Sequence, residues 1–107
     1  MMNEYDLKVI TDLLYTTGKT GEQIFGECMR LAELLLKKNA AYGNSALDPV
    51  RVFSKANTVE QIKVRIDDKL SRLSRGHAME DETLDETVTD LMGYLVLLKI
   101  ALQQLDD

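Results

Sequence analysis

Arg65, Lys69 and Arg72 follow one another in steps of four and three along the segment Arg65-Ile66-Asp67-Asp68-Lys69-Leu70-Ser71-Arg72, so with Asp68 they share one face of a helix formed there. Two guanidiniums and an ammonium around one aspartate can hold a phosphate by charge-assisted hydrogen bonds. The same residues also make an ordinary solvated face of local ion pairs. Five of the 13 basic residues lie between Lys63 and Arg75, a local concentration in a chain of formal charge −5. A second group is Lys38-Asn39-Ala40-Ala41-Tyr42-Gly43-Asn44-Ser45, where two amides, a phenol and a hydroxyl surround one glycine. Such groups suit the edge of a base or a sugar, and a plain turn needs fewer of them. The third is Asp85-Glu86-Thr87-Val88-Thr89-Asp90-Leu91-Met92-Gly93-Tyr94, with Glu86, Asp90 and Tyr94 one helical turn apart. Asp90 falls among apolar residues, where a lone carboxylate is costly, so it needs Arg65, Lys69 or Arg72, or a bound Mg²⁺.

Other signals do not hold up. Gly18-Lys19-Thr20 looks like the end of a phosphate loop, but Leu13 stands where the motif needs its first glycine and no strand precedes it. His77 has no second histidine or cysteine to complete a zinc site. Cys28 lies on an apolar stripe and reads as a core thiol, and no serine or cysteine has a histidine base at hand by sequence.

The elements that position these groups are helical. Leu7, Ile10, Leu13 and Leu14 predict a first helix from about Glu4 to Tyr15, and Thr20 with Gln23 a capped second helix to about Lys38, closed at Asn39. From Asn39 to Asn57 the periodicity fails, and Tyr42, Val50, Val52 and Phe53 are expected to anchor an ordered loop. Thr58 with Gln61 opens a third helix to about Ser74, with Val59, Ile62, Ile66, Leu70 and Leu73 inward and Gly76 as its stop. Thr83 with Glu86 caps a last helix to about Leu105, on which Leu84, Val88, Leu91, Leu95, Leu98, Leu102 and Leu105 form a coiled-coil-like seam. Met92, Val96, Leu97, Ile100 and Ala101 leave that helix apolar almost all round, which favours burial against a second copy of the chain.

With 107 residues, one proline and 6% aromatics, the chain reads as a single all-α domain, 1–107. An excess of 18 acidic over 13 basic residues argues against a general nucleic-acid binder. One cysteine, no cationic leader and a longest apolar run of only Leu91–Leu98 predict a cytoplasmic protein that uses no membrane.

In order and spacing, KNAAYGNS, RIDDKLSR and DETVTDLMGY resemble the nucleotide-modification-associated domain type 1 family of phage and bacterial genomes, over roughly Ala32 to Leu102. That family is similar to the all-α MazG-like and dimeric dUTPase pyrophosphohydrolases, helical oligomers whose ExxE and ExxD carboxylates hold Mg²⁺ against nucleotide phosphates. The resemblance implies a four-helix MazG-like bundle, oligomeric through the last helix. Asp90 matches the later aspartate, but Thr87 stands where its glutamate would be. The earlier pair is absent, since the second helix offers only Glu33 followed by Lys37, Lys38 and Asn39.

The expected nucleotide site is Lys38, Asn39, Tyr42, Gly43, Asn44, Ser45, Arg65, Lys69, Arg72 and Tyr94, with Asp68, Glu86 and Asp90 as candidate Mg²⁺ ligands. The leading expectation is a phage-type, anti-defence protein of the host cytoplasm that sequesters a nucleotide or a nucleotide-derived signal, cyclic or linear, without turnover. The alternative is a Mg²⁺-dependent pyrophosphohydrolase of (deoxy)nucleoside triphosphates in a phage nucleotide-modification pathway. A purely structural oligomer would leave the KNAAYGNS cluster unexplained.

Overall fold

The computed structural model describes residues 2–49, 51–75 and 83–105. Val50, Gly76 and His77 lie outside these, so the expectations placed on them have no counterpart here. The described residues form three helices and no strand: α1 (Glu4–Tyr42), α2 (Thr58–Arg75) and α3 (Leu84–Leu105). The chain divides into two compact units, Met1–Leu34 and Leu35–Asp107.

In the first unit α1 starts at a reciprocal cap. The Asp6 N–H donates to Asn3 Oδ1 (2.9 Å), and the Asn3 N–H donates to Asp6 Oδ2 (3.3 Å). The two helices expected from the sequence run together, interrupted only by the backbone of Gly18 at φ 61°, ψ −138°. That conformation is essentially reserved for glycine, so the sequence signal at Gly18 marks a kink where a loop was expected. Thr20, expected as a cap, lies inside α1. Cys28 is exposed, against its expected place in a core.

The second unit holds the last turns of α1, the loop, α2 and α3. α1 outlasts its expected end at Lys38 and stops after Tyr42, where Gly43 (φ 60°) and Asn44 (φ 65°) turn left-handed. The Asn44 N–H donates to the Asn39 carbonyl at 3.3 Å, the six-to-one bond of a Schellman ending. α2 is capped by Asn57, one residue before the expected Thr58, through Glu60 N–H to Asn57 Oδ1 at 2.9 Å. α3 begins where its sequence predicts, with the Glu86 N–H donating to Thr83 Oγ1 at 3.1 Å.

α2 and α3 pack antiparallel, because Val59 and Ile62 at the start of α2 cluster with Ala101 near the end of α3, while Lys69 late in α2 meets Asp90 early in α3. Leu47, Ile66, Tyr94, Leu97 and Leu98 flank this core. Lys69, rather than the expected Leu70, points inward from α2, and Leu70 is exposed. The buried line of α3 is Thr87, Gly93 and Ala101, small residues that let the helices approach closely. The leucine seam mostly lies elsewhere on α3: Leu84, Val88, Leu95, Leu102 and Leu105 are exposed. α3 as a whole, 22 residues with a mean hydropathy of 1.3 over its most apolar window, is long and apolar enough to cross a bilayer, although the Leu91–Leu98 run alone is not.

Candidate functional site

Beside the α2–α3 contact lies an open groove of about 1030 Å³, lined by Arg65, Asp68, Lys69 and Arg72 from one face of α2 and by Tyr94 from α3. Glu60, Gln61 and Val64 of α2 and Ser54 and Ala56 of the loop complete its lining. The i, i+4, i+7 spacing of Arg65, Lys69 and Arg72 aligns the cations, and the packing of α3 against α2 supplies the tyrosine.

Each cation has a different setting. The Arg65 guanidinium sits over the Tyr94 ring, 6.0 Å from its centroid, at the outer reach of a cation–π contact. Arg72 Nε donates to Asp68 Oδ2 at 3.2 Å, a half-exposed pair one turn apart. Lys69 is buried, at 8% exposure. Its Nζ lies 2.9 Å from Asp90 Oδ2, while Lys38 Nζ approaches Oδ1 of the same carboxylate at 3.9 Å. Of the partners considered for Asp90, Lys69 is therefore the one that meets it directly. Of the pair only Lys69 lines the groove, beside Arg65 and Arg72.

The groove thus joins Arg65, Asp68, Lys69, Arg72 and Tyr94, while Lys38 approaches Asp90, the partner of Lys69, and does not line the groove. Asn39, Tyr42, Gly43, Asn44 and Ser45 are not among the lining residues. Four backbone bonds occupy that segment instead: Asn44 N–H to the Asn39 carbonyl, Ser45 N–H to the Tyr42 carbonyl, and the Leu47 and Asp48 N–H groups to the Asn44 carbonyl. The KNAAYGNS segment is, in this structure, a helix ending. Sequence reasoning missed Ser54, Ala56, Glu60, Gln61 and Val64. Gln61 did carry a signal, but as a capping residue; its Nε2 in fact donates to the Ala56 carbonyl at 3.0 Å.

Among the described residues no three acidic, histidine or cysteine side chains converge as a metal set. Asp68 and Asp90 are engaged by Arg72 and Lys69, and Glu86 is an exposed residue in the first turn of α3. Thr87, at the position of the missing glutamate, is fully buried, and its hydroxyl donates to the Thr83 carbonyl at 3.1 Å. No family model, curated protein or solved structure matches this chain, so its resemblance to the nucleotide-modification-associated domain rests on the three motifs alone.

Proposed function

We propose that this chain binds a nucleotide in the α2–α3 groove and holds it without turnover. The observation that carries the reading is that Arg65 and Arg72 of α2 and Tyr94 of α3 line one groove together with the hydrogen-bonding groups of Ser54 and Gln61. In this reading Arg65 and Arg72 take the phosphates, Tyr94 and the Arg65 plane offer stacking surfaces, and Ser54 and Gln61 meet the base or sugar. A phosphate arriving at Arg72 displaces Asp68, so the carboxylate acts as an internal counterion until ligand binds. Asp68 and Glu60 at the groove also suit a Mg²⁺ carried in on the phosphates, since that ion keeps most of its waters and needs one or two carboxylates.

Retention without hydrolysis follows from the same pairs. Pyrophosphate release requires groups that bind the developing charge more strongly than the ground state. Here Asp90 is neutralised by Lys69 and approached by Lys38, Asp68 is neutralised by Arg72, and Thr87 contributes no carboxylate. Arg65 and Arg72 neutralise ground-state phosphate and transition state alike, which gives affinity without rate. In a phage-type setting the protein would be a cytoplasmic sink for a nucleotide-derived signal. We also propose that a second copy covers the exposed α3 seam and completes a larger helical bundle, because a stripe of Leu84, Val88, Leu95 and Leu102 left in water is unfavourable.

Thermal-shift and equilibrium-dialysis measurements with nucleoside triphosphates and cyclic dinucleotides, with and without Mg²⁺, test the reading. The expected result is saturable binding of at least one of them, recovered intact after long incubation. Arg65→Ala or Arg72→Ala should each weaken it by about 1.5–3 kcal/mol, the scale of a charge-assisted hydrogen bond. Repeated conversion of a triphosphate to monophosphate and pyrophosphate, abolished by Asp90→Asn, would establish the hydrolase instead.

A further inference from the structure

The loop between α1 and α2 is pinned at its base and exposed at its tip. The Arg51 guanidinium donates to the Ala56 carbonyl and, at 2.8 Å, to Thr58 Oγ1. The Thr58 hydroxyl in turn donates to the Leu47 carbonyl at 3.4 Å, and the Ala56 N–H donates to Ser54 Oγ at 3.1 Å. These bonds tie Leu47 and Arg51 to Thr58 in the first turn of α2, and link Ala56 to Arg51 and to Ser54 within the loop. Between the tied points, Val52 and Phe53 are 72% and 96% exposed, although both were expected to anchor the loop inward. Phe53 is one of only two phenylalanines in the chain, and its neighbour Ser54 lines the groove. An aromatic ring held almost wholly in water, one peptide unit from a ligand-sized opening, has no packing role in the structure as it stands.

We infer that Phe53 is the specificity element of the groove, folding over its open side to stack on the base of a bound nucleotide opposite the Arg65–Tyr94 wall. This rests on the nucleotide reading above and narrows it: the ligand carries a planar aromatic ring attached to its phosphates, and a bare polyphosphate is a poor substitute. The Arg51 clasp keeps the loop base in place, so closing the ring requires movement of the tip alone.

The test compares the four ribonucleoside triphosphates with inorganic tripolyphosphate on the full chain. Phe53→Ala should weaken the best-bound nucleoside triphosphate about tenfold, within the range for loss of one base–aromatic stack, and leave tripolyphosphate unchanged. Phe53→Tyr, which keeps the ring, should restore nucleotide affinity. The chain has no tryptophan, so Phe53→Trp supplies a single tryptophan, selectively excited at wavelengths above tyrosine absorption, whose emission should change with the nucleotide and not with tripolyphosphate. Equal losses for both probes, no loss for the nucleotide, or a silent tryptophan while dialysis shows binding would each overturn the inference and leave the groove reading intact. A lower sedimentation mass for Phe53→Ala would reassign the ring to a subunit contact. Wild-type protein that binds neither these probes nor a cyclic dinucleotide would remove both readings together.

Discussion

Replacing Asp90 by alanine deprives Lys69 of the carboxylate oxygen 2.9 Å from its ammonium while leaving the lysine at 8% exposure. Removing one partner of a buried ion pair costs about 3–5 kcal/mol, because the remaining charge stays in a poor solvent. Asp90 retains 26% of its side-chain exposure, so water relieves part of the penalty and the lower end, about 3 kcal/mol, is expected. For a domain of this size that corresponds to a fall in Tm of roughly 10–25 °C. The mirror perturbation, Lys69→Met, should cost less, about 1–2 kcal/mol, since the partly hydrated Asp90 keeps Lys38 nearby. Lys38→Ala, which removes a half-exposed partner at 3.9 Å, should cost about 0.5 kcal/mol or less. Urea unfolding of the three variants and of the Asp90→Leu/Lys69→Met pair, read by far-ultraviolet circular dichroism, measures the order. The double variant should recover most of the stability lost in Asp90→Ala, because an apolar pair of similar volume needs no desolvated charge. Asp90→Ala within about 0.5 kcal/mol of the wild type, or a double variant no more stable than the single one, would refute a buried pair.

Asp68→Asn removes a negative charge from the groove wall and weakens its 3.2 Å bond with Arg72; without Mg²⁺, nucleoside triphosphate affinity by calorimetry should rise several-fold, roughly 1 kcal/mol for a multiply charged ligand a few ångströms away. Thr87→Glu places a carboxylate at a position with no exposure; it should destabilise by several kcal/mol in rough terms and confer no hydrolysis, and a stable, active variant would show that Thr87 faces a metal. Leu95→Glu places a charge on an α3 residue that is 46% exposed in the single chain; analytical ultracentrifugation should find the wild type oligomeric and the variant monomeric, with helicity largely preserved.

What was legible in the sequence was what short-range periodicity encodes. α2 and α3 begin and end close to their expected residues, and the demand that Asp90 find a cation on α2 was met by Lys69. A helix repeats every 3.6 residues whatever its surroundings, so a face shared by Arg65, Lys69 and Arg72 needs no knowledge of the fold. Which face turns inward is a different question, decided by the partner. α3 carries more apolar residues than α2 can cover, and the side that packs is the one with small residues, Leu97, Leu98 and an ion-pair partner; Leu84, Leu95, Leu102 and Leu105 stay outside. The same limit explains the loop. Val52 and Phe53 are apolar, but nothing local tells whether a neighbour exists to bury them. Ser54 and Ala56 became groove residues only through the Arg51 and Gln61 bonds that hold the loop against α2. KNAAYGNS drew attention as a polar cluster, whereas its backbone is engaged in closing α1.

The pairing of Lys69 with Asp90 joins residues only about 20 positions apart, and every groove residue lies between Ser54 and Tyr94. Contacts of such short sequence separation close inexpensive loops and form early, on the microsecond-to-millisecond scale of helical proteins. The groove is therefore a product of one helical hairpin collapsing on itself, and a nascent chain would own it as soon as α3 has emerged. Any association through the outer leucines comes afterwards and at a rate set by concentration, so a dilute, newly made chain would be able to capture its ligand before it meets another copy.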